Sequence, residues 1–377
     1  MSSLYLHVPF CRTKCSYCDF YSVADRLSEL ACYHHLLLRH LALARARDRL
    51  QTPLSTIFFG GGTPSLLSPD AVAAVLSELA RTPGIASGAE ISLEANPGTI
   101  TLEKLQGYRA AGVNRLSLGI QSLDAASLDR LGRSHSPQQA VAAFRLARQS
   151  GFSSLSCDLM FGLPGQGRKE LLEELDGVLA LEPDHLSCYG LTVEEATPFY
   201  HLHRAGGLAL PEEEEYRELY HAVHDRLVPA GFSHYEISNY ARPGHDCRHN
   251  LVYWRRQPYL GLGAGAHSFF PADWGERWAV PSDLAGYAAR LAQGEDPAEK
   301  LESFDRPGAM AETLYLGLRT AEGVAEEPFI RLFGEGVQAA FPRAVARCGQ
   351  HLTLRDGRWR MDLAGWLIFD HLIEGFL

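Results

Sequence analysis

The sequence predicts an α/β fold: a partial, laterally open barrel of six βα units, followed by a small, mostly helical, winged-helix-like C-terminal domain. Three features lead there. From residue 3 to about 230, short apolar runs alternate with longer stretches of helical period, the pattern of parallel strands joined by crossover helices. A Gly/Pro-rich stretch at 258–271 then breaks the alternation. Beyond about residue 275 the segments read as helices interrupted by one hairpin. Six units close only part of a barrel, since a closed one takes eight. The expected boundaries are 1–235 for the barrel, 236–274 for a connecting segment and 275–377 for the C-terminal domain.

Strands are expected at 4–8, 56–59, 90–94, 115–120, 154–159 and 185–191. Helices follow them at 27–50, 69–81, 102–111, 140–149, 169–181 and 212–229. In the first helix Leu27, Leu30, His34, Leu37, Leu38 and Leu41 keep the three-and-four spacing of a buried face. Later helices are expected at 283–293, 306–318, 329–333, 336–347 and 364–376, with a hairpin of 351–354 and 358–361. A winged-helix-type topology alone says nothing about nucleic acid.

Composition narrows the function. Apolar residues make up 46% and charged residues 21% of the 377, as in a globular chain with a sizeable core. The formal charge of −10 argues against a nucleic-acid partner. The start, MSSLYLHVPF, lacks the basic segment of a signal peptide, and no run of 18 apolar residues suggests a membrane span. The eight cysteines are too irregularly spaced for a disulfide framework, and Cys32, Cys157, Cys188 and Cys348 sit in apolar patterns. A reducing, cytoplasmic compartment is expected.

Cys11, Cys15 and Cys18 lie in the run YLHVPFCRTKCSYCDFYS. Three thiolates on one tight loop are one short of a structural zinc site, which takes four protein ligands. A 4Fe–4S cluster on three cysteines instead leaves one iron open to an exchangeable ligand. Zinc with a remote fourth ligand such as Cys32 is the competing reading.

Polar residues gather at the strand ends. After the apolar run TIFF come Gly60, Gly61, Gly62, Thr63 and Pro64. Ligands of parallel α/β folds sit at the carboxyl ends of strands, and consecutive glycines let backbone approach them. The plainer reading is a permissive turn. Glu94, Gln121 and Asp158 fall at or near other strand ends, where each serves equally well as a cap or turn former. Arg133, in LGRSH, reads on its own as a solvated surface residue.

The cysteine spacing resembles the signature of the radical SAM superfamily, where S-adenosylmethionine (SAM) binds the open iron. The phrases YLHVPFC, FFGGGTPSLL, SLEANPG, NRLSLGIQS, DLMFGLPGQ and GLGAGAHS resemble its oxygen-independent coproporphyrinogen-III-oxidase-like family over essentially the whole chain. That resemblance implies SAM contacts from Tyr5, Tyr17, Gly61, Gly62, Thr63, Glu94, Gln121, Arg133 and Asp158. The true oxidases carry a fourth cysteine two residues past the third, where this chain has Phe20. The HemW-type haem chaperones of the same family have CDF there and a later HNxxYW motif, matched here by His249, Asn250, Tyr253 and Trp254.

The resemblance therefore implies a chaperone that binds haem and a SAM-ligated 4Fe–4S cluster and passes haem to acceptor proteins. Peripheral membrane contact would come only through those acceptors. The alternative is a radical SAM enzyme acting on a porphyrinogen, although coproporphyrinogen oxidase activity is not expected. His249 offers an iron ligand and Tyr253 and Trp254 offer stacking faces; equally, the histidine caps a turn and the aromatics fill a junction. Cys247 is a candidate softer ligand. His7 is read as packing near the cluster loop, and His267 as a residue bordering the SAM pocket.

Overall fold

The computed structural model describes residues 2–377. Six strands follow one another in parallel: β1 (Ser3–Val8), β2 (Leu54–Gly61), β3 (Ile85–Ala95), β4 (Arg115–Gln121), β5 (Ser154–Phe161) and β6 (His185–Gly190). Their helices are α1 (Leu30–Ala46), α2 (Pro69–Arg81), α3 (Leu102–Ala111), a short α4 (Ala125–Arg130), α5 (Pro137–Gln149), α6 (Arg168–Leu179), α7 (Pro198–Arg204) and α8 (Glu213–Leu227). Local chemistry sets the starts. Ser68 accepts from the Ala71 amide and places Pro69 at the first turn of α2, and Ser136 with Gln139 forms a reciprocal capping box on α5. The first helix is shorter than its 27–50 pattern: Leu27–Glu29 is a 3₁₀ turn, and Asp48 adopts a left-handed backbone past the end.

The connecting segment is not a bare linker. β7 (Ser233–Glu236) pairs antiparallel with β8 (Asn239–Ala241), which adds antiparallel to β6, while β9 (Leu260–Leu262) pairs in parallel with β1, Tyr5 opposite Gly261. The sheet order is β7-β8-β6-β5-β4-β3-β2-β1-β9. Among the described residues the two edges do not pair with each other, so the barrel stays open at the side.

The HNxxYW motif, expected in that connector, forms a short helix, α9 (Arg248–Trp254). Its entry is fixed from across the barrel. The buried Glu90 carboxylate of β3 accepts from the Arg248 and His249 amides, both at 3.0 Å. These are free amides at the positive end of the helix, so a carboxylate is the natural cap.

Beyond α9 a three-stranded sheet is built from β10 (His267–Phe270), β11 (Glu276–Ala279) and β12 (Glu299–Ser303), with α10 (Leu284–Ala292) between the last two. α11 (Arg306–Gly317), β13 (Val324–Ala325), α12 (Glu326–Phe333), α13 (Val337–Ala340) and α14 (Pro342–Cys348) follow. Strands β14 (Leu352–Arg355) and β15 (Arg358–Met361) make the hairpin, which β13 widens, and α15 (Leu363–Leu367) and α16 (Phe369–Ile373) end the chain. The helix expected at 336–347 is two helices, because Pro342 excludes the preceding Phe341 from helical backbone (φ −128°, ψ 54°). One continuous core runs from Leu4 and Leu6 of β1 to Trp366 and Phe369. Trp366 meets His234 edge-on and donates its indole N–H to the Leu318 carbonyl.

Candidate functional site

The cysteine loop is pinned at both ends before it reaches any ligand. Phe10 is fully buried, edge-on to Tyr33 with ring centres 5.1 Å apart. The Cys11 amide donates to the Val23 carbonyl and the Val23 amide returns to Pro9. Further along, the Ser16 amide donates to Leu131 in the turn that carries Arg133. The three thiols remain partly exposed. Thr63 donates to Cys11 Sγ and an Arg133 N–H donates to Cys15 Sγ, both at 3.4 Å. Burial pushes the Cys18 thiol up.

A cleft of about 510 Å³ opens beside the three cysteines. Tyr17, Gly61, Gly62 and Thr63 line it on the loop side, and Glu94, Gln121, Arg133 and Asp158 line it at the strand ends. The structure thus brings together eight of the nine residues in the expected SAM set. Arg133 is not a solvated surface side chain. It is half-buried, donates to the Gly119 carbonyl at 2.7 Å, and has a buried Nε with no partner. Tyr5 is the exception. It lies two residues before His7 on β1, lower in the barrel, and faces a different cavity.

The glycines are required first by the protein itself. Gly61 has φ +110°, and a Cβ there would lie 2.6 Å from the His7 ring. A Cβ on Gly62 would lie 2.8 Å from the Phe10 carbonyl oxygen. Packing them against the loop leaves the Gly61 amide pointing at the Glu94 carboxylate, 3.1 Å away. Burial, reinforced by Asp158, raises the Glu94 carboxyl to about 8. Asp158 is also raised by burial but accepts from Ser117 at 2.9 Å. Two desolvated carboxyls and an orphaned guanidinium N–H are suited to a ligand carrying both signs of charge, as an amino acid group does.

Behind the cleft lies a second cavity of about 520 Å³ inside the barrel. The two share Asp19, Phe20, Glu94, Ser117, Asp158 and Tyr189 as lining, so they adjoin. Tyr5, Phe58, Tyr253 and Tyr259 wall the inner one. Phe20 and Tyr189, 69% and 42% exposed, line both cavities and lie where the two adjoin. Arg115 is buried at the far end, its Nε without a partner. Sequence reading passed over this residue. Its signal was a charge opening an otherwise apolar strand, RLSLGI.

The HNxxYW residues do not converge on one ligand. His249 is fully buried; its Nδ1 is bonded with the Thr56 hydroxyl and its Nε2 with the Tyr253 hydroxyl, each at 2.8 Å. Burial lowers this imidazole to about 3. Neither nitrogen is left for a metal. Trp254 lies under the Arg319 guanidinium, 4.9 Å from its ring centre. Arg248 donates to the Gly88 carbonyl, while Arg255 and Arg256 are paired with Glu322 and Glu312. Of the three residues expected at haem, only Tyr253 faces the cavity. Cys247 also lines it, with its thiol pushed up to about 12 by burial. Cys32 is exposed on α1. His267 borders the inner cavity rather than the cysteine cleft.

Comparison with known proteins bears on this arrangement. Residues 5–176 match the radical SAM superfamily, and 304–368 match the HemN C-terminal domain. The chain is 36% identical to the heme chaperone HemW of Escherichia coli, covering 100% of this chain and 98% of that protein. It is equally similar, at 36%, to heme chaperone HemW of Bacillus subtilis, over 92% and 90%. The chain belongs to the HemW family. The mitochondrial radical S-adenosyl methionine domain-containing protein 1 of Bos taurus is another relative, 37% identical over 86% of this chain and 75% of the relative. Coproporphyrinogen III oxidase (HemN) of Escherichia coli superposes with a TM-score of 0.84 over 99% of this chain and 89% of its own, at 22% identity. That likeness establishes the open radical SAM barrel and the appended C-terminal region. Among the described residues no helix of this HemW-family chain is long and apolar enough to cross a membrane.

Proposed function

We propose that the chain is a haem carrier. It holds a 4Fe–4S cluster and SAM in the cleft, takes haem into the adjoining aromatic cavity and passes it to acceptor proteins. One observation carries this reading: near full-length likeness to proteins named heme chaperones coincides with an exposed Phe20 at the mouth, where the oxidase pattern has a cysteine. Cys11, Cys15 and Cys18 would hold three irons of the cluster. Tyr17, Gly61, Gly62, Thr63, Glu94, Gln121, Arg133 and Asp158 would hold SAM. When bound, the two supply a one-electron donor beside a polar ligand.

The chain's own residues do the rest. Thr63 and Arg133 stabilise negative charge on the Cys11 and Cys15 sulfurs. The Gly61 amide donates to Glu94 and fixes its carboxyl, which is the group facing the amino end of an amino acid ligand. Phe20 and Tyr189 flank the way into the inner cavity, whose aromatic walls offer stacking surface to a porphyrin. Tyr253 belongs to that wall, and His249 holds its hydroxyl in place. We place the protein in the cytoplasm, where reducing conditions preserve thiolate ligands.

Anaerobic reconstitution followed by haem titration tests this. The expected result is about four irons per chain, lost in Cys15→Ala, and one haem with a shifted Soret band. Full iron retention in Cys15→Ala, or no haem uptake by the reconstituted chain, would contradict it.

A further inference from the structure

We infer that His267, and not His249, is the side chain that ligates the iron of haem in the inner cavity. The inference rests on the reading of haem as cargo.

The histidines around the cavity differ in what their nitrogens already do. His7 is bonded with the Tyr5 hydroxyl through Nδ1 at 3.1 Å and with the Tyr21 carbonyl through Nε2 at 3.0 Å. His185 is bonded with Ser156 and with the Tyr235 hydroxyl, each at 2.8 Å. His249, just behind the wall, is saturated by Thr56 and Tyr253. His267 lines the same cavity, is exposed, and among the described residues has no hydrogen bond at either imidazole nitrogen. An imidazole must lend one ring nitrogen to iron as a lone pair. Among the described residues lining the cavity, His267 is the histidine that does so without breaking an existing bond.

Its backbone is fixed while its ring is free. His267 opens β10, paired with Ala279 of β11, and its carbonyl packs so closely over Gly261 of β9 that no side chain fits there. A ligand on a strand anchored on two sides is held to a defined direction.

The remaining chemistry of the cavity matches the same cargo. Tyr5, Phe58 and Tyr259 provide aromatic surface for an apolar macrocycle. Arg115, buried with an unpartnered Nε, provides a cation for a propionate at the far end. About 520 Å³ lies within the range of roughly 300–1,000 Å³ that encloses a ligand of moderate size.

Ferric haem titrations of the reconstituted full chain, read by absorbance and electron paramagnetic resonance, test the assignment. His267→Ala should change the Soret maximum and the spin state and weaken haem binding at least about tenfold. Its iron–sulfur content and its affinity for iron-free protoporphyrin IX should match wild type, and added imidazole should restore the wild-type spectrum. His249→Ala should keep the wild-type axial signature. A wild-type haem spectrum in His267→Ala overturns the inference, as does loss of the axial signature in His249→Ala alone. Failure of wild type to bind haem would instead remove the carrier reading itself, so the two failures are distinguishable.

Discussion

A buried side chain's role depends on what its polar atoms have already found. Glu94 has one amide donor and sits beside Asp158, so its carboxyl is raised to about 8. Between the ordinary carboxylate range and pH 8, the folded chain binds more protons here than the unfolded chain. Stability therefore falls as pH rises through that window. Glu94→Gln should remove this loss, raising the melting temperature of ligand-free protein at pH 8 with little change at pH 4.5. The same variant should lose SAM affinity by about 1.5–3 kcal/mol, the worth of a hydrogen bond to a charged group. Calorimetric titration that finds unchanged SAM affinity would remove Glu94 from the site.

His249 shows the opposite case, a polar group with nothing left to offer. His249→Ala would orphan the buried Thr56 hydroxyl and release the half-buried Tyr253 hydroxyl, and should cost about 1–3 kcal/mol in urea denaturation. Because burial holds this imidazole near 3, the unfolded chain binds the extra proton below pH 6.5. Wild-type stability should thus be complete above pH 6.5 and decline as pH falls toward 3. His249→Gln should decline less over that range. The motif HNxxYW was visible in the sequence, but the burial that turns its histidine from candidate ligand into scaffold was not. That burial comes from β2 and Thr56, almost two hundred residues away.

At the scale of elements, the six parallel strands were legible because strands buried on both faces are short continuous apolar runs. α2 and α3 were legible through their helical period between strands, and both start at the expected residues, Pro69 and Leu102, capped by Ser68 and Thr101. The outer strands β7, β8 and β9 were not, since they span only three or four residues and take their identity from their neighbours. α9 was hidden for a related reason: its N-terminal cap is Glu90 on β3, not a residue next to it in sequence. Glu90→Ala should therefore loosen α9 and lower stability by about 1–2 kcal/mol. Iron content should stay at the wild-type level. A melting temperature equal to wild type would show that the helix is held by packing alone.

At the scale of the molecule, two adjoining chambers share Glu94, Asp158, Phe20 and Tyr189, one beside three cysteines and the other walled with aromatics. The first was readable from spacing and strand ends. The second was not, because Tyr5, Arg115, Tyr189, Tyr259 and His267 come from five separate elements or turns and meet only in the folded barrel. Phe20 lines both chambers, at the position where the oxidase pattern has a further cysteine. The most direct measurement loads the anaerobically reconstituted chain with one haem and mixes it with an apo-haem protein, with a parallel incubation with coproporphyrinogen III, SAM and a reductant. The predicted result is transfer of haem to the acceptor, seen as the acceptor's own Soret band, with no protoporphyrinogen IX formed. Haem that stays unbound or untransferred while protoporphyrinogen accumulates above a heat-killed control would contradict the account.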